Sequence, residues 1–430
     1  MAILFAILLK PMIVEAYVIP TPSMQPTLMG SPDAGVNDRL IVDQTRYLFS
    51  DPRRWDIAVF RYPIRELQKY VKRIVGLPGD RMRIAAGNLW EVGADGNIAS
   101  VHRKPDRIQD GLWRELFPRR MEIDEGTDPM KYFAGKVGKW AANGLDLTGV
   151  ATSSGRATLE FRDEIHGGLV NRVYDGYPPE VARSIQQTAS NAEFEGVQDV
   201  RVAVDITPEQ ALQSFEIRLN LVPPGSDRRI YALACKDGQA RLVIRRKGKE
   251  VAASEPIPCV LAAGSSTPLS FAVLDDRLMA EVAGTTQELE IGDNRLTKLL
   301  DGNQTYLEFE SRSTKSAKLT LSNLKIDRDL HYVARGAALR GDDHRVDTVN
   351  HIIKIPEDHY LMLGDNPQQS ADARDWEVVT IGVENGQIVD PKTHPNAQIL
   401  RGNRRPWDLD ASPDVDESPV VLRKQKKVVF

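Results

Sequence analysis

The chain has 430 residues, of which 41% are hydrophobic and 27% charged, and its 60 acidic and 56 basic residues leave a formal net charge of −4. This is the composition of a globular protein, and the length predicts two or three folding units rather than a disordered, collagen-like or disulfide-stapled chain. Without a basic excess we expect no nucleic acid partner, because binding a phosphate backbone requires clustered lysine and arginine.

The chain begins with nine apolar residues, Met1–Leu9, followed by Lys10 and a second apolar stretch that contains Glu15. A bilayer span requires about 20 mostly apolar residues. A secretory signal would need a basic segment before the apolar run and small residues after it. Two interpretations stand: a buried N-terminal helix, or residues 1–19 as the incomplete end of a membrane anchor, which we adopt.

From residue 38 to residue 91 the chain alternates short strand-like runs with Pro, Gly and Asp. Val59–Tyr62 and Val71–Val75 are rich in β-branched and aromatic side chains, which suit a pleated, half-buried surface. Residues 20–105 are therefore predicted as the first part of an all-β core domain. The strand-like pattern then ends, and apolar residues at helical spacing from Ile108 to Phe117 predict a helix.

A second β-rich block runs from about residue 157 to residue 326. In residues 215–221, apolar side chains alternate with Glu216, Arg218 and Asn220, which gives one buried and one solvated face. Several such strands recur between turn signals, a pattern typical of a β-sandwich or jelly roll.

The sequence pattern of the first block, short strand-like runs separated by turn residues, returns after residue 327. The sequence therefore predicts one β domain interrupted by another. The core domain occupies residues 20–105 and 327–407, and the inserted segment occupies residues 106–326, with its jelly roll at about 157–326. Residues 408–430 are rich in Pro, Asp and Ser and then basic, and we predict that they are disordered.

Common catalytic and metal-binding motifs are absent from the sequence. The seven histidines are scattered, with no His-Glu-x-x-His zinc motif and no Gly-x-Ser-x-Gly elbow, and no Walker loop or dinucleotide fingerprint is present. Cys235 and Cys259 cannot make a zinc site by themselves. They fall on neighbouring predicted strands of the insert and could pair in an oxidising compartment. We predict no metal and no cofactor, while a Ser-His-Asp triad stays open because its members need not be close in sequence.

Three segments of the core domain could carry chemistry. In the first, Ile19–Leu28, prolines hold Ser23 in an extended backbone that could present its hydroxyl rigidly, although most such serines are only loop residues. In the second, strand alternation places Tyr70, Lys72 and Ile74 on one face. If that face is buried, the pKa of Lys72 falls and its neutral amine can act as a general base. Most strand lysines instead extend to water.

The third segment, Leu361–Trp376, is a predicted strand followed by a Gly-Asp-Asn turn. Ser370, Asp372 and Arg374 are spaced by two, which would place a hydroxyl, a carboxylate and a guanidinium on one side of an extended chain. Each segment alone is weak evidence for an active site, and the order of the three segments along the chain strengthens this evidence.

Taken together in this order, the three segments resemble the bacterial type I signal peptidases, also called leader peptidases. The Pro-x-x-Ser-Met-x-Pro-Thr box of that family carries the nucleophile, which implies this role for Ser23, followed by Met24. The Lys-Arg-x-x-Gly-x-Pro-Gly-Asp box carries the general base, which implies this role for Lys72, followed by Arg73.

The resemblance also implies which residues support this pair. Thr21 would donate a hydrogen bond to the oxyanion beside the Ser23 backbone N–H, and Ser370 would orient the lysine amine. Apolar cover over the lysine falls at Phe60, Tyr70 and Met362. The third box of the family supplies structural support, here at Gly364, Asp365, Asn366, Asp372 and Arg374.

The family implies a fold, an activity and a location for this chain. The fold would be a mainly β, antiparallel signal-peptidase core. The activity would be that of a serine endopeptidase with a Ser-Lys dyad, which removes signal peptides from exported preproteins after small residues of the Ala-x-Ala type. Its partners would be those preproteins and membrane lipid, and it would lie at the bacterial cytoplasmic membrane with its catalytic domain on the outer side.

The match covers residues 19–91 and 351–402, and it departs from the family at Ala373, where serine is usual, and at Glu377, where glycine is usual. The insert looks like a concanavalin- or laminin-G-like jelly roll, similar to that of large signal peptidases of planctomycete-type bacteria. It could bind a carbohydrate or protein ligand, or it could be a spacer without a ligand.

Two alternatives were weighed against this interpretation. A self-cleaving Ser-Lys repressor protease would need a DNA-binding domain, which the apolar start and the lack of a basic domain oppose. An inactive scaffold whose jelly roll binds ligands is opposed by the intact Ser23, Lys72 and Ser370. The signal peptidase interpretation predicts a distance of about 2.6–3.2 Å between Ser23 Oγ and Lys72 Nζ.

Overall fold

The computed structural model describes residues 14–31, 35–62, 65–118, 126–162, 169–170, 175–177, 181–182, 196–222, 228–294, 304–334, 352–367, 369–374, 377–384, 387–389, 392–404, 415–416 and 422–423. The apolar start of the chain, residues 1–13, lies outside this set. Within the set, no helix has the length and apolar character needed to cross a membrane.

The chain divides into two compact units. Unit 1 comprises Met1–Ile84, Leu89–Lys104 and Tyr332–Phe430, and unit 2 comprises Ala85–Asn88 and Pro105–His331. Both consist almost entirely of β-strands and turns, so the prediction of a mainly β protein is confirmed.

The regular elements follow in chain order. Those before residue 105 are β1 (Val14–Val18), β2 (Gly30–Ser31), β3 (Val36–Asn37), β4 (Arg39–Asp43), α1 (Arg46–Phe49), β5 (Ile57–Tyr62), β6 (Arg65–Gly76), β7 (Arg81–Ala85), β8 (Asn88–Val92) and β9 (Ile98–Val101). Those of the middle of the chain are α2 (Asp106–Asp110), β10 (Arg114–Phe117), β11 (Phe133–Val137), β12 (Lys139–Asn143), β13 (Asp146–Val150), β14 (Arg156–Phe161), β15 (Val200–Pro208), β16 (Ser214–Val222), β17 (Arg229–Lys236), β18 (Gln239–Arg246), β19 (Lys249–Ala253), β20 (Ile257–Pro258), β21 (Thr267–Leu274), β22 (Arg277–Val282), β23 (Thr285–Glu290), β24 (Gln304–Arg312) and β25 (Lys318–Arg328). Those after residue 350 are β26 (Ile353–Lys354), β27 (His359–Leu363), β28 (Glu377–Glu384), β29 (Gln387–Val389), β30 (Gln398–Arg404), β31 (Val415–Asp416) and β32 (Leu422–Arg423).

Unit 1 contains small antiparallel sheets that join its two parts. One sheet has the order β32-β27-β6-β5 and another the order β26-β7-β8-β9, so strands from before and after the middle of the chain pair directly. β28 pairs with β29, β30 and β31, while β1 pairs with β4 and β2 pairs with β3. The strand pair β27–β6 brings the third predicted segment beside the second.

Unit 2 contains two eight-stranded antiparallel sheets. One has the order β12-β13-β25-β15-β21-β22-β23, with β10 also on β25, and the other the order β11-β14-β24-β16-β17-β18-β19, with β20 also on β18. Alternate residues such as Val202 and Val204 of the first sheet and Ile217 and Leu219 of the second are buried in one hydrophobic cluster. The inner faces of both sheets therefore share a core, which the burial of apolar surface stabilises.

Two expectations about local structure were wrong. The predicted helix over Ile108–Phe117 ends at Asp110, and Arg114–Phe117 is strand β10. Long-range pairing explains the difference, since β10 pairs antiparallel with β25 and this ladder outweighs the local helical spacing. Cys235 and Cys259 are not on neighbouring strands: Cys235 lies in β17, Cys259 follows β20, and β18 runs between these two strands.

The predicted disordered tail, residues 408–430, lies largely outside the described residues. Two short strands within it are described, and both pair with strands of unit 1. β31 pairs with β28, and β32 pairs with β27.

Candidate active site

Ser23 lies in a single turn of 3-10 helix, Pro22–Met24, four residues after β1. Proline at the first position suits such a turn, because its φ is already fixed and its missing N–H would have no partner there. The Gln25 N–H donates to Pro22 O at 3.0 Å and closes the turn, and Ser23 and Met24 are both buried. The proline-rich sequence therefore holds the serine in a defined turn rather than in a loose loop.

The third predicted segment packs directly on this turn. The Asn366 N–H donates to Ser23 O at 3.1 Å, and Asn366 Nδ2 donates to Pro22 O at 3.2 Å. A Cβ at Gly364 would lie 2.3 Å from Ser23 O, a distance that no side chain could occupy. Glycine at this position therefore allows the two segments to approach at backbone distance.

Lys72 approaches Ser23 from β6. Its Nζ lies 2.7 Å from Ser23 Oγ, which meets the distance expected from the sequence. The lysine is 3% exposed and the serine 7% exposed. The hydroxyl and the amine thus form a direct, water-shielded contact between two of the three predicted segments.

Apolar side chains surround this lysine on its own face of the sheet. Directly opposite residues of an antiparallel pair lie on the same face, and the pairs are Phe60 with Tyr70 and Met362 with Ile74. The Phe60 and Tyr70 rings stack with their centroids 6.1 Å apart. The three residues predicted to cover the lysine, Phe60, Tyr70 and Met362, therefore lie together beside it in one hydrophobic cluster.

This environment lowers the pKa of Lys72 to about 8. Burial is the main cause, because removing water disfavours the charged ammonium. The nearby Asp372 carboxylate opposes the shift and the Arg374 guanidinium adds to it. About a tenth of the amine is consequently neutral at pH 7, far more than for an ordinary lysine with a pKa of about 10.4, and a general base requires this neutral form.

Asp372 and Arg374 form a buried ion pair beside the lysine. Arg374 Nε donates to Asp372 Oδ1 at 2.7 Å, and Asp372 Oδ2 also accepts the Gly364 N–H at 2.8 Å. Burial alone would raise the pKa of Asp372, but the arginine and these hydrogen bonds lower it, so the carboxylate stays ionised. Arg374 partly balances this charge, so the carboxylate raises the pKa of Lys72 by less than burial lowers it.

The expected extended geometry of this segment was wrong. Residues 370–374 contain no strand, and the chain bends at Asp372 and turns at residues 373–374, where Asp372 accepts hydrogen bonds from the Gly364 N–H and from Arg374. Ser370 is fully buried, and its Oγ makes no hydrogen bond to Lys72 or to any other described group.

Arg73 and Asp365 form a second buried ion pair, on the opposite face of β6. Arg73 Nε and Nη2 donate to the two carboxylate oxygens of Asp365 at 2.8 and 2.6 Å, and Nη1 donates to Trp55 O at 2.8 Å. This bidentate geometry ties the Gly-Asp-Asn turn to the strand that carries Lys72.

Thr21 lies at the exposed edge of the site. Its Oγ1 is 3.4 Å from Ser23 Oγ, two residues along the chain. The Thr21 hydroxyl is therefore close enough to donate a hydrogen bond to an oxygen atom bound beside Ser23.

Residues 1–111 match the family model described as signal peptidase, peptidase S26. This part of the chain is therefore similar to the peptidase S26 domain. Over 95 residues the chain is 39% identical to a probable signal peptidase I-2 from Synechocystis sp., an alignment that covers 21% of this chain and 40% of the relative. Over 88 residues it is 43% identical to signal peptidase I from Pseudomonas aeruginosa, covering 19% of this chain and 31% of the relative.

The chain thus spans less than half the length of these curated relatives. Among solved structures, the alginate lyase A1-II′ of polysaccharide lyase family 7 is similar over 58% of this chain and 95% of its own, with a TM-score of 0.30 and 10% identity. A similarity of that degree does not define a shared fold.

The matched part of the chain contains two supporting residues that sequence reasoning missed. A Cβ at Gly30 would lie 2.5 Å from Thr21 O and 2.7 Å from Ile19 O, so only glycine allows β2 to pass beneath the chain that leads to Ser23. The buried Gln25 side chain donates to Gly30 O at 3.0 Å. The Met-Gly-Ser sequence after the nucleophile box was the available signal, because an isolated glycine in a strand often marks a close backbone approach.

Among the described residues, one acidic cluster outside the matched part of the chain has the donor atoms for a cation. Asp199, Asp275 and Asp329 are buried in unit 2, with carboxylate oxygens within 4.8 Å of one another. Asp199 already accepts a hydrogen bond from Asn88 at 2.6 Å, and Asp329 accepts one from Gln109 at 2.7 Å. We assign no metal to these residues.

Proposed function

We propose that this chain is a serine endopeptidase of the signal peptidase I kind, which removes signal peptides from exported preproteins. The observation that supports this most directly is the 2.7 Å contact between Ser23 Oγ and Lys72 Nζ, in surroundings that lower the lysine pKa to about 8. A hydroxyl beside a neutral amine is the arrangement that nucleophilic catalysis without histidine requires. The match of residues 1–111 to the signal peptidase family supports the same activity.

The proposed reaction is acyl transfer to serine. Ser23 Oγ attacks the scissile carbonyl carbon while Lys72 Nζ takes the hydroxyl proton, and the carbonyl oxygen becomes an oxyanion. The tetrahedral intermediate then expels the amine of the downstream chain, which receives the proton from Lys72. A water molecule, deprotonated by Lys72 Nζ, then attacks the acyl-enzyme. This step releases the signal peptide and restores Ser23.

The oxyanion would form beside Thr21 and the Ser23 backbone N–H. Thr21 Oγ1 lies 3.4 Å from Ser23 Oγ and is exposed at the edge of the site, so it can donate to an oxygen that arrives with the substrate. One well-placed donor of this kind contributes about 3–4 kcal/mol to transition-state stabilisation.

The substrate would bind as an extended strand. Among the described strands, β1 pairs with β4 and the part of β6 before Lys72 pairs with β5, so each offers its other edge. Lys69 of β6 forms an ion pair with Glu15 of β1 at 2.8 Å, so the two strands face each other as they approach the dyad. An extended peptide could add to these edges by main-chain hydrogen bonds. Cleavage after small residues of the Ala-x-Ala type is part of this proposal.

A membrane location is also part of the proposal. Val18 and Ile41 lie on one exposed face of the β1–β4 ladder and are 57% and 80% exposed, and Leu48 and Phe49 of α1 are 68% and 88% exposed. Large apolar side chains exposed this close to the site of an enzyme favour contact with an apolar phase. Bacterial membrane lipid is the partner we propose for them.

For unit 2 we propose a β-sandwich of the jelly-roll kind, which the shared core of its two antiparallel sheets supports. A carbohydrate or protein ligand for it stays a prediction from the sequence.

The test is cleavage of a preprotein or an Ala-x-Ala peptide by the full chain. We expect Ser23→Ala and Lys72→Ala each to lower kcat/KM by at least about a thousand-fold, because each member of such a dyad is needed by the other. Lys72→Met, which keeps the volume of the side chain but not its amine, should do the same. The exposed residues Ser153 and Lys236 provide matched alanine controls that should cleave normally. Cleavage that survives either loss would refute the proposed mechanism.

A further inference from the structure

The second sheet of unit 2, which contains β14, β24, β16 and β17, has a charged outer face. Ile217 and Leu219 of β16 lie in the core that the two sheets share. The side chains that alternate with them, such as Arg218, therefore point to the other face. Alternate residues of the neighbouring strands lie on that same outer face: Arg156, Glu216, Arg245, Glu310 and Arg312. The pairing of these charges decides what the face can bind.

Glu310 lies at the centre of a cluster of arginines. It is 2% exposed and accepts hydrogen bonds from Arg156 Nε and from Arg312 Nε, each at 3.0 Å. Arg218 Nη2 also donates to it, at 2.9 Å. One carboxylate thus receives three guanidinium groups, which together carry more positive charge than it can balance.

A second carboxylate does not remove this excess. Glu216 accepts hydrogen bonds from Arg218 Nε at 2.5 Å and from Arg245 Nη1 and Nη2, each at 3.0 Å. The whole network therefore contains four guanidinium groups and two carboxylates, which leaves an excess of two positive charges. Since Arg245 and Arg218 are held by Glu216, the excess lies at the end of the sheet that carries the other two arginines.

Three cations lie in one row across this end of the sheet. Arg156 is directly opposite Arg312 in the β14–β24 ladder, Ser214 is opposite Arg312 in the β24–β16 ladder, and Lys236 is opposite Ser214 in the β16–β17 ladder. We call Arg156, Arg312 and Lys236 the cationic row. Neighbouring strands are about 4.8 Å apart, so the row spans about 14 Å. Its side chains are 45%, 57% and 73% exposed.

The cationic row keeps hydrogen-bond donors available to solvent. Arg156 uses Nε and Nη2 on Glu310, and Arg312 uses only Nε, so Arg156 Nη1 and both terminal nitrogens of Arg312 bond no described residue. Like charges directly opposite each other in a ladder cost free energy, and Glu310 offsets only part of this cost because it also binds Arg218. An anion bound at the row would offset the remainder.

We propose that the cationic row binds an acidic polysaccharide, a polymer whose sugar units carry carboxylates. A planar guanidinium matches a carboxylate with two parallel hydrogen bonds. Repeated carboxylates along one polymer chain suit cations that repeat across neighbouring strands. The Ser214 hydroxyl lies in the same row, between Arg312 and Lys236, where it can bond a sugar hydroxyl.

The strand pairing favours a polysaccharide over an acidic peptide. β14, β24, β16 and β17 are each paired on both sides, so the row offers no free strand edge. Extended peptides that bind a sheet gain affinity from main-chain hydrogen bonds to such an edge. A polysaccharide has no peptide backbone to satisfy and can lie across the side chains of the face. Nucleic acid is opposed by the net charge of −4 of the chain.

The first experiment measures binding of polygalacturonate to the full chain by titration calorimetry. We expect saturable binding that weakens as salt is added, because exposed charges are screened. Dextran, a neutral polysaccharide, should not bind, and polyglutamate should bind at least about ten-fold more weakly than polygalacturonate. Absence of polygalacturonate binding would overturn the proposal. Polyglutamate binding of equal strength would overturn the assignment of a polysaccharide.

Variants locate the binding on the sheet. Arg156→Gln and Arg312→Gln should each raise the Kd for polygalacturonate by about ten-fold, the effect expected for loss of a hydrogen bond to a charged group. Arg241→Gln is the matched control, since Arg241 lies on the same face, is 43% exposed and pairs with Glu250 at 3.4 Å. We expect its Kd to stay within about two-fold. Equal losses in all three variants would show that only net charge matters and would overturn the proposed row.

A measurement on the unaltered chain covers the case in which a variant fails to fold. An arginine-selective dicarbonyl reagent is applied with and without polygalacturonate, and the modified residues are identified by mass spectrometry. Bound polymer should protect Arg156 and Arg312 but not Arg241. Equal modification of Arg156 and Arg312 with and without polymer would overturn the proposal. This inference goes beyond the proposed function, and none of its readouts depends on peptidase activity.

Discussion

Lys72 Nζ lies 2.7 Å from Ser23 Oγ, although the two residues are 49 positions apart in the sequence. Neither segment holds this contact alone. Asn366 bonds the serine turn, and Asp365 bonds Arg73, the neighbour of the lysine on β6. The Gly-Asp-Asn turn therefore fixes both sides of the contact, and the predictions below test its chemistry and its support.

The first prediction concerns the pH dependence of cleavage. Lys72 must be neutral to accept the Ser23 proton, and its pKa is lowered to about 8. The neutral fraction grows as pH rises, so kcat/KM should increase through about pH 8 and then level. The measurement is a pH–rate profile on a peptide with no ionisable group of its own in that range. A profile that decreases through this range would contradict the role of the lysine.

A variant of Asp372 sharpens this prediction. The Asp372 carboxylate raises the pKa of Lys72, so Asp372→Asn should move the midpoint of the profile to lower pH. Asp237→Asn is the matched control, since Asp237 is an exposed carboxylate of unit 2 whose side chain is 79% exposed. An Asp372→Asn midpoint that stays in place or moves upward would show that the charge of Asp372 does not act on the base.

The sequence located the segments of the candidate site better than it predicted their local geometry. The boxes around Ser23 and Lys72 were recognisable because proline-rich and glycine-rich segments carry local signals for turns. The turn that Asp372 makes with Arg374 and the burial of Ser370 without a bond to the lysine were missed, because they depend on contacts between distant segments. The spacing of side chains along the sequence describes an extended chain and cannot reveal a turn such as the one at Asp372.

The same limit applies to the fold. Alternation predicted the strands of unit 2 well, since period-two burial is local, and residues 215–221 lie in β16 as expected. The helix predicted over Ile108–Phe117 was wrong after Asp110 because β10 pairs with β25, which is about 210 residues away along the chain. The order of strands within the two large sheets could not be read from any local pattern.

The second prediction concerns Gly364. An alanine Cβ there would lie 2.2 Å from Ser370 Oγ and 2.3 Å from Ser23 O, and the second atom belongs to the backbone and cannot rotate away. Overpacking of this kind costs about 1–3 kcal/mol, and a displacement of the nucleophile by about 1 Å can cost about a hundred-fold in rate. Gly364→Ala should therefore lower both the melting temperature and kcat/KM.

Gly111→Ala is the control for this variant. Its Cβ would meet only Ile108 O, at 3.6 Å, and its φ of −80° is open to any residue. We expect unchanged activity and stability. A second variant, Ser370→Gly combined with Gly364→Ala, should stay impaired because the contact with Ser23 O remains. Full activity in Gly364→Ala would contradict the close packing of the turn on the nucleophile.

The third prediction concerns the Arg73–Asp365 ion pair. The side chains are 4% and 0% exposed, and Arg73→Ala would leave the Asp365 carboxylate buried without its arginine. Removing one partner of a buried pair typically costs about 3–5 kcal/mol. Chemical denaturation of Arg73→Ala should show a loss of this size. Lys236→Ala breaks only an exposed pair with Asp237 and should show no measurable loss. Equal stability of the two variants would contradict a structural role for the buried pair.

The last prediction concerns the exposed apolar face near the site. Ile41 and Phe49 are 80% and 88% exposed, and burying such side chains in an apolar phase is worth about 1.5–3 kcal/mol each. Vesicles of bacterial phospholipid should therefore slow hydrogen exchange at the backbone amides of β4 and α1. This readout reports on the face itself, whatever else in the chain binds lipid. Ile41→Ser combined with Phe49→Ser should abolish the protection and leave cleavage of a soluble peptide unchanged.

The control region for this experiment is β19, whose Val251 is 46% exposed but belongs to unit 2. Its amides should exchange equally fast with and without vesicles. Protection of β19 to the same degree as β4 would indicate nonspecific adsorption of the whole chain. Protection of neither would mean that the apolar face does not enter lipid, and the proposed membrane contact would then have to lie elsewhere.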